Sequence, residues 1–134
     1  MSDALRHLNT ALGSNSPTHV LSAAWATFDV VGQLADDITW TAGTDEFKAM
    51  IAAQACSTAR SALPLPQADR TPGMSTPDPG APLDPYVELL NRTGMALAAL
   101  AARDGVSDED RVRLTDTVGQ AELAAAALAN VRER

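Results

Sequence analysis

Residues 16–38, SPTHVLSAAWATFDVVGQLADDI, carry the clearest structural pattern in the chain. Apolar side chains recur at steps of three and four residues, which places them on one face of an α-helix. A serine followed by a proline is a typical helix start, because the serine oxygen accepts a bond from a free N–H of the first turn and proline needs no partner there. The apolar positions are Leu21, Trp25, Phe28, Val31, Leu34 or Ala35, and Ile38. We therefore predict a helix that begins at Pro17, runs to about Thr41 and is ended by Gly43.

A short helix is predicted before this segment. Ser2 can cap a helix over Asp3–Leu12, and Gly13 can stop it in the left-handed conformation that glycine adopts easily. The apolar positions Leu5, Leu8 and Leu12 share one face of this helix.

A third helix is predicted to begin at Thr44, because Asp45 and Glu46 then lie in the first turn, where acidic groups favour the helix dipole. This helix is predicted to end near Leu63, because the residue before Pro64 is biased away from helical geometry. Its predicted core face is Phe47, Met50, Ile51, Gln54, Ala55 and Thr58.

The fourth and fifth helices are predicted from their start signals. Asp84 is the expected cap of the fourth helix, with Pro85 at its first position and Gly105 after its end. Ser107 and Asp110 approximate a capping box for the fifth helix. The fourth helix has one apolar stripe, at Tyr86, Leu90, Thr93, Leu97 and Leu100. The fifth has two, one at Leu114, Val118, Ala121, Ala125 and Leu128, and another at Val112, Gly119 and Leu123.

These signals predict one all-α domain over residues 1–134. Short loops favour antiparallel neighbours, so residues 1–63 give the N-terminal helix and a first helical hairpin, and residues 85–134 give a second hairpin. Residues 64–84 form a long Pro-rich connecting loop. Packing the hairpins together buries the apolar face of each, which predicts a four-helix bundle with the short N-terminal helix as an extra arm. The direction of the fourth helix is left open, because the loop is long enough for either.

Composition narrows the classes of function. The net charge is −7, and nucleic-acid binding needs basic surface, so we expect no nucleic-acid partner. No apolar run is long enough to span a bilayer, and the N-terminus lacks the pattern of a signal peptide, so we expect a cytoplasmic protein without membrane contact. Arginine outnumbers lysine nine to one and alanine fills 26 of 134 positions, which favours a high-GC bacterial source.

The residues that could carry catalysis or bind a metal do not form a recognisable set. His7 and His19 lack the spacing of a bundle metal site. Cys56 has no second cysteine and no neighbouring histidine in the sequence, which argues for a small packing residue rather than a nucleophile. We therefore expect no catalytic residue, no metal site and no cofactor, and an enzyme that uses metal or carboxylates is the last of three hypotheses.

Two candidate binding sites remain. Mid-helix glycines allow either close helix packing or a gap for a flat ligand beside an aromatic ring. Trp40 can cover the end of the bundle or meet a partner. The candidate ligand site comprises Trp25, Gly32, Tyr86 and Gly94. The candidate docking patch for a protein partner comprises Asp29, Asp36, Asp37 and Trp40, with the acidic residues on a solvated face.

The sequence thus favours a non-enzymatic interaction protein. Alanine-rich helix faces suggest that it self-associates as a homo-oligomer, and the acidic patch suggests an unidentified protein partner. The alternative is a helical bundle that binds a small molecule near the mid-helix glycines and aromatics.

Overall fold

The structure, a computed structural model, describes residues 3–40, 45–63 and 82–131. This part of the chain is all-helical and contains no strand. Its five helices, in chain order, are α1 (Asp3–Leu12), α2 (Pro17–Thr39), α3 (Glu46–Ala62), α4 (Asp84–Ala101) and α5 (Asp108–Ala129). Residues 64–81, most of the predicted Pro-rich loop, lie outside the described residues, as does the predicted stop at Gly43.

The helix starts follow from local hydrogen bonding. The predicted caps Ser16 and Ser107 are confirmed: each side chain accepts a bond from the backbone N–H three residues later. The third helix begins two residues after the predicted start at Thr44, because Asp45 is its cap and accepts a bond from the Lys48 N–H at 3.2 Å. The cap predicted at Asp84 is wrong, since Asp84 is the first helical residue and Leu83 precedes it without a side-chain cap.

Among the described residues, one glycine that follows a helix has a left-handed backbone conformation. Gly105, between α4 and α5, has a φ of 88°, a conformation in which a side chain would be strained. Gly13 does not have a positive φ, so the predicted left-handed stop of α1 is wrong. The chain turns there instead through bonds from the N–H groups of Gly13 and Ser14 to Thr10 and Ala11.

Helices α2 and α3 pack side by side, as do α3 with α5 and α5 with α4, while α2 also contacts α4. Helix α1 lies against α2 and α4. The α2–α3 pair is antiparallel, because Asp29 meets Arg60 whereas Gly32 faces the earlier residue Cys56.

The direction of α4 follows from three contacts. Arg111 Nε donates to the Ala101 carbonyl at 2.8 Å and Gly94 faces Ala121, so α4 and α5 are antiparallel. The Asp45 N–H donates to the Val131 carbonyl at 2.7 Å, so α3 starts where α5 ends. Helices α3 and α4 therefore run in the same direction, with the end of α3 and the start of α4 at opposite ends of the helix array.

The apolar stripes of α2 and α4 lie in the core, as predicted. Of the predicted α2 positions, Leu21 and Trp25 are half-buried, and the others are buried: Phe28, Val31, Leu34, Ala35 and Ile38. All five predicted positions of α4 are buried.

The face predicted for α3 is wrong for most of its positions, because only Ala55 is buried and Ile51 half-buried. Phe47 and Met50 are exposed, and the buried positions of this helix are Ala49, Ala52, Ala55, Cys56 and Ala59. Small side chains let the α3 backbone lie close to both α2 and α5, and such a closely packed interface has no space for phenylalanine or methionine.

Helix α5 contacts two neighbours, but not through both predicted stripes. Leu114, Ala121, Ala125 and Leu128 of the first stripe are buried. Val112 and Leu123 of the second stripe are exposed, so that prediction is wrong. Small side chains such as Thr117 and Ala124 are also buried and lie beside the first stripe, so one continuous face of α5 carries its buried residues.

Candidate interaction surface

Three large apolar side chains are exposed where α2 ends and α3 begins. Trp40 is 84% exposed, Phe47 73% and Met50 58%. We call these three residues the end surface. Scattered exposed apolar residues are ordinary, but a group at one end of a fold marks a candidate binding site.

The helix geometry explains why Trp40 points outward. It is the C-cap residue of α2, and its N–H donates to the carbonyl of Asp37 at 3.2 Å. The two preceding residues, Ile38 and Thr39, are buried. Because α2 turns its core face inward at those positions, the next residue is directed to solvent.

Phe47 and Met50 share the outer face of α3. They are three residues apart, which places them side by side on a helix. The register with α2 puts this face near Trp40: Gly32 lies opposite Cys56, and eight residues further along α2 correspond to eight residues earlier on the antiparallel α3. Trp40 is therefore level with Lys48, one residue from Phe47.

Acidic residues border the end surface. Asp36 and Asp37 are exposed on the last turn of α2 before Trp40, and Glu46 is exposed next to Phe47. Lys48, the single lysine of the chain, lies 4.0 Å from the Asp45 carboxylate. The predicted docking residues Asp36, Asp37 and Trp40 thus lie on one surface, together with apolar residues that the sequence did not suggest.

Asp29, the fourth predicted docking residue, is not on this surface. It is buried, and its Oδ1 accepts bonds from Arg60 Nη1 at 2.7 Å and from Gln33 Nε2 at 3.2 Å. The Arg60 guanidinium also lies 5.6 Å from the Trp25 ring centroid, within the range of a cation–π contact. Asp29 and Trp25 therefore share a cluster that joins α2 to α3, and the solvated face predicted for Asp29 is not observed.

The residues of the predicted ligand site are spread over two helix pairs. A Cβ on Gly32 would lie 3.2 Å from the Cys56 Cβ, and one on Gly94 would lie 3.6 Å from the Ala121 Cβ. Gly32 thus faces α3, whereas Gly94 faces α5. Tyr86 is buried two turns before Gly94, about 12 Å along the helix axis, and burial raises the pKa of its hydroxyl.

The potential nucleophile and metal ligands are placed as follows. Cys56 is buried, and burial raises the pKa of its thiol to about 12, against the opposing effect of the Arg60 charge. His7 and His19 are exposed and border a groove of about 310 Å³ between α1 and α2. Within residues 3–40, 45–63 and 82–131, no group of three or more His, Cys, Asp or Glu side chains could hold a metal ion.

No protein-family model, curated protein or solved structure matched the chain. Among the described helices, none combines the length and the apolar character needed to cross a membrane.

Sequence reasoning missed Phe47 and Met50 as surface residues. Two stripes compete on α3, one with large apolar side chains and one with alanines. The alanine stripe, Ala49, Ala52, Ala55, Cys56 and Ala59, has helical spacing and includes no polar residue. The predicted stripe contains Gln54 and Thr58, which are both exposed. This difference in polarity between the two stripes indicates that the alanine stripe is the buried face of α3.

Proposed function

We propose that this chain is a non-enzymatic helical protein that acts through protein–protein interaction at the end surface. The observation that carries the proposal is the exposure of Trp40, Phe47 and Met50 at one end of two adjacent helices. Fully burying one such side chain gains roughly 1.5–3 kcal/mol. A partner that covers all three would therefore gain a substantial part of its binding free energy there, as aromatic residues do at many interfaces.

We propose a four-helix bundle as the scaffold, made of the antiparallel hairpins α2–α3 and α4–α5, with α1 as an added arm and the Pro-rich residues 64–83 joining the two hairpins in the sequence. The antiparallel pairs and the contacts between them support this architecture. In this proposal the bundle holds the last turn of α2 and the first turns of α3 side by side.

Self-association is one form that this interaction can take. The alanine-rich faces that suggested it lie largely between helices of the same chain, as with Ala52 and Ala124. A homo-oligomer would therefore use the end surface. Sedimentation velocity over a range of concentrations tests this: association that disappears in Phe47→Ser would support it, and a monomer at every concentration would remove it.

A small-molecule pocket at Gly32 and Gly94 is the alternative function. The close approach of Cys56 and Ala121 to these glycines favours helix packing as their role, and no further observation favours a ligand there.

Site-specific photocrosslinking in the source cells tests the proposed function. A photoreactive phenylalanine analogue replaces Phe47 in one chain and Met95 in a control chain, because Met95 is equally exposed, at 73%, but lies on α4. We expect a discrete protein adduct from position 47 and none from position 95. Equal adducts at both positions, or none at position 47, would show that the end surface is not an interaction site.

A further inference from the structure

We infer that the partner of the end surface is a basic amphipathic helix from a different protein. This inference rests on the proposed function and specifies the chemistry of its partner. It depends on three observations: the charge that borders the end surface, the shape of the neighbouring groove, and the poor fit of a second copy.

Among the described residues, the border of the end surface is acidic. Asp36 and Asp37 precede Trp40, and Glu46 precedes Phe47, all with exposed side chains. Lys48, which follows Phe47 in the sequence, lies beside the Asp45 carboxylate. Acidic groups around an apolar centre attract and orient a partner of the opposite charge.

A shallow groove extends this surface between α2 and α3. It has a volume of about 230 Å³ and is lined by Asp36 and Gln33 on one side and by Ala53 and Ser57 on the other. Arg60 borders its far end but is bonded to Asp29. A lysine or arginine on a bound helix could extend its long side chain into this groove towards the Asp36 carboxylate, while apolar residues of the same helix cover Trp40, Phe47 and Met50.

A second copy of the chain fits the end surface less well. A twofold dimer would pair this patch with itself, which would bring Asp36, Asp37 and Glu46 near their own equivalents. At the other end of the array, two arginines of α5 are each paired with an acidic residue. Arg111 is bonded to Asp108, and Arg113 to Glu109.

The test is a titration of the full chain with a designed peptide of about 20 residues, labelled with a fluorophore and followed by anisotropy. The peptide has leucine on one helical face and lysine or arginine on the other. The control peptide keeps the leucines and replaces every basic residue by glutamate. We expect the basic peptide to bind at least tenfold more tightly, with an affinity that falls as salt rises, because salt screens exposed charges.

Matched variants then separate the two contributions. Asp36→Asn with Asp37→Asn is expected to weaken binding of the basic peptide roughly threefold to tenfold, the combined effect of two exposed charges. The control double variant is Asp116→Asn with Glu122→Gln, which removes two exposed acidic groups from α5. We expect it to change the affinity less than twofold. Phe47→Ser with Met50→Ser is expected to abolish binding, and circular dichroism verifies that each variant is folded.

Several outcomes overturn the inference, and they can be told apart. Equal binding of both peptides, no binding of the basic peptide, or no effect of Asp36→Asn with Asp37→Asn would each refute a basic partner. Dimerisation through Phe47 that excludes the peptide would identify a second copy as the occupant. In these cases a crosslink specific to position 47 would still support the proposed function. If peptide binding survives Phe47→Ser with Met50→Ser, and position 47 gives no crosslink, both proposals fail.

Discussion

At the scale of single residues, the contact between Gly32 and Cys56 shows how closely α2 and α3 approach. A Cβ on Gly32 would lie 3.2 Å from the Cys56 Cβ. The Cys56 Cβ is fixed to its helix backbone, so it can yield only if α3 moves. The glycine therefore sets the separation of the two helices, even though glycine is a poor helix former.

Replacing three mid-helix glycines by alanine should give three different results. Gly119→Ala meets no atom within 4 Å, so its helix should gain about 0.5–1 kcal/mol of stability. Gly94→Ala places its Cβ at an ordinary contact distance of 3.6 Å from Ala121 and should gain a similar amount. Gly32→Ala should gain less than either or lose stability. Urea denaturation of the three variants measures this order, and an equal gain at Gly32 would contradict the close approach.

The Asp29–Arg60 pair should respond unequally to loss of its two members. The Asp29 side chain is 10% exposed and that of Arg60 35%. Removing the arginine leaves a more deeply buried charge without a counterion, which is the more costly loss. We expect Arg60→Met to destabilise the fold by about 2–3 kcal/mol and Asp29→Asn by about 1 kcal/mol, as measured by urea denaturation. The reverse order would show that Asp29 is better solvated than its burial indicates.

The buried Cys56 thiol should make stability depend on alkaline pH. Burial raises its pKa from 9.0 to about 12, so the folded chain keeps the thiol proton at a pH where the unfolded chain has lost it. This contribution is fully present below pH 9 and is lost as pH rises towards 12. Between pH 8 and pH 10.5 the wild-type chain should lose about 1–2 kcal/mol more stability than Cys56→Ala. Parallel pH profiles for the two chains would contradict a buried thiol.

At the scale of helices, α3 is the element that departs most from its sequence pattern. Its large apolar residues face outward, and its alanines face α2 and α5. The sequence correctly predicted the five helices, and the predicted stripes of α2 and α4 lie in the core together with further apolar residues such as Val30 and Leu89. It did not predict the core face of α3, because periodicity gives the apolar faces of a helix but not the distance to its neighbours. The space between backbones decides whether alanine or phenylalanine fits.

Substitutions on the two faces of α3 should therefore have effects opposite to those expected from side-chain size. Phe47→Ser and Met50→Ser should each change the free energy of unfolding by less than about 0.5 kcal/mol, since both side chains are exposed. Ala52→Leu should destabilise the fold by about 1–3 kcal/mol through overpacking. Thermal denaturation measures all three. A loss of about 3 kcal/mol or more for Phe47→Ser would mean that Phe47 belongs to the core.

At the scale of the whole molecule, the arrangement of the helices places acidic and apolar residues of different helices together at one end of the fold. The antiparallel α2–α3 pair joins the acidic last turn of α2 to the apolar first turns of α3, while the contact between Asp45 and Val131 ties this end to α5. The sequence identified Asp36, Asp37 and Trp40 as a candidate patch from charge and position. It could not predict that Asp29 lies outside this patch and pairs with Arg60. The two residues are 31 positions apart in the sequence, and their pairing depends on the register between α2 and α3.

The most direct test of the central claim is acrylamide quenching of Trp40 in the Trp25→Phe chain, in which Trp40 is the single tryptophan. In the isolated chain at low concentration we expect quenching close to that of the urea-unfolded chain, because Trp40 is 84% exposed. Saturation with the basic amphipathic peptide should then reduce the quenching severalfold, while the acidic control peptide should not. A Trp40 that is already protected in the isolated monomer, or that stays equally quenched with bound peptide, would contradict an exposed docking site at this end of the fold.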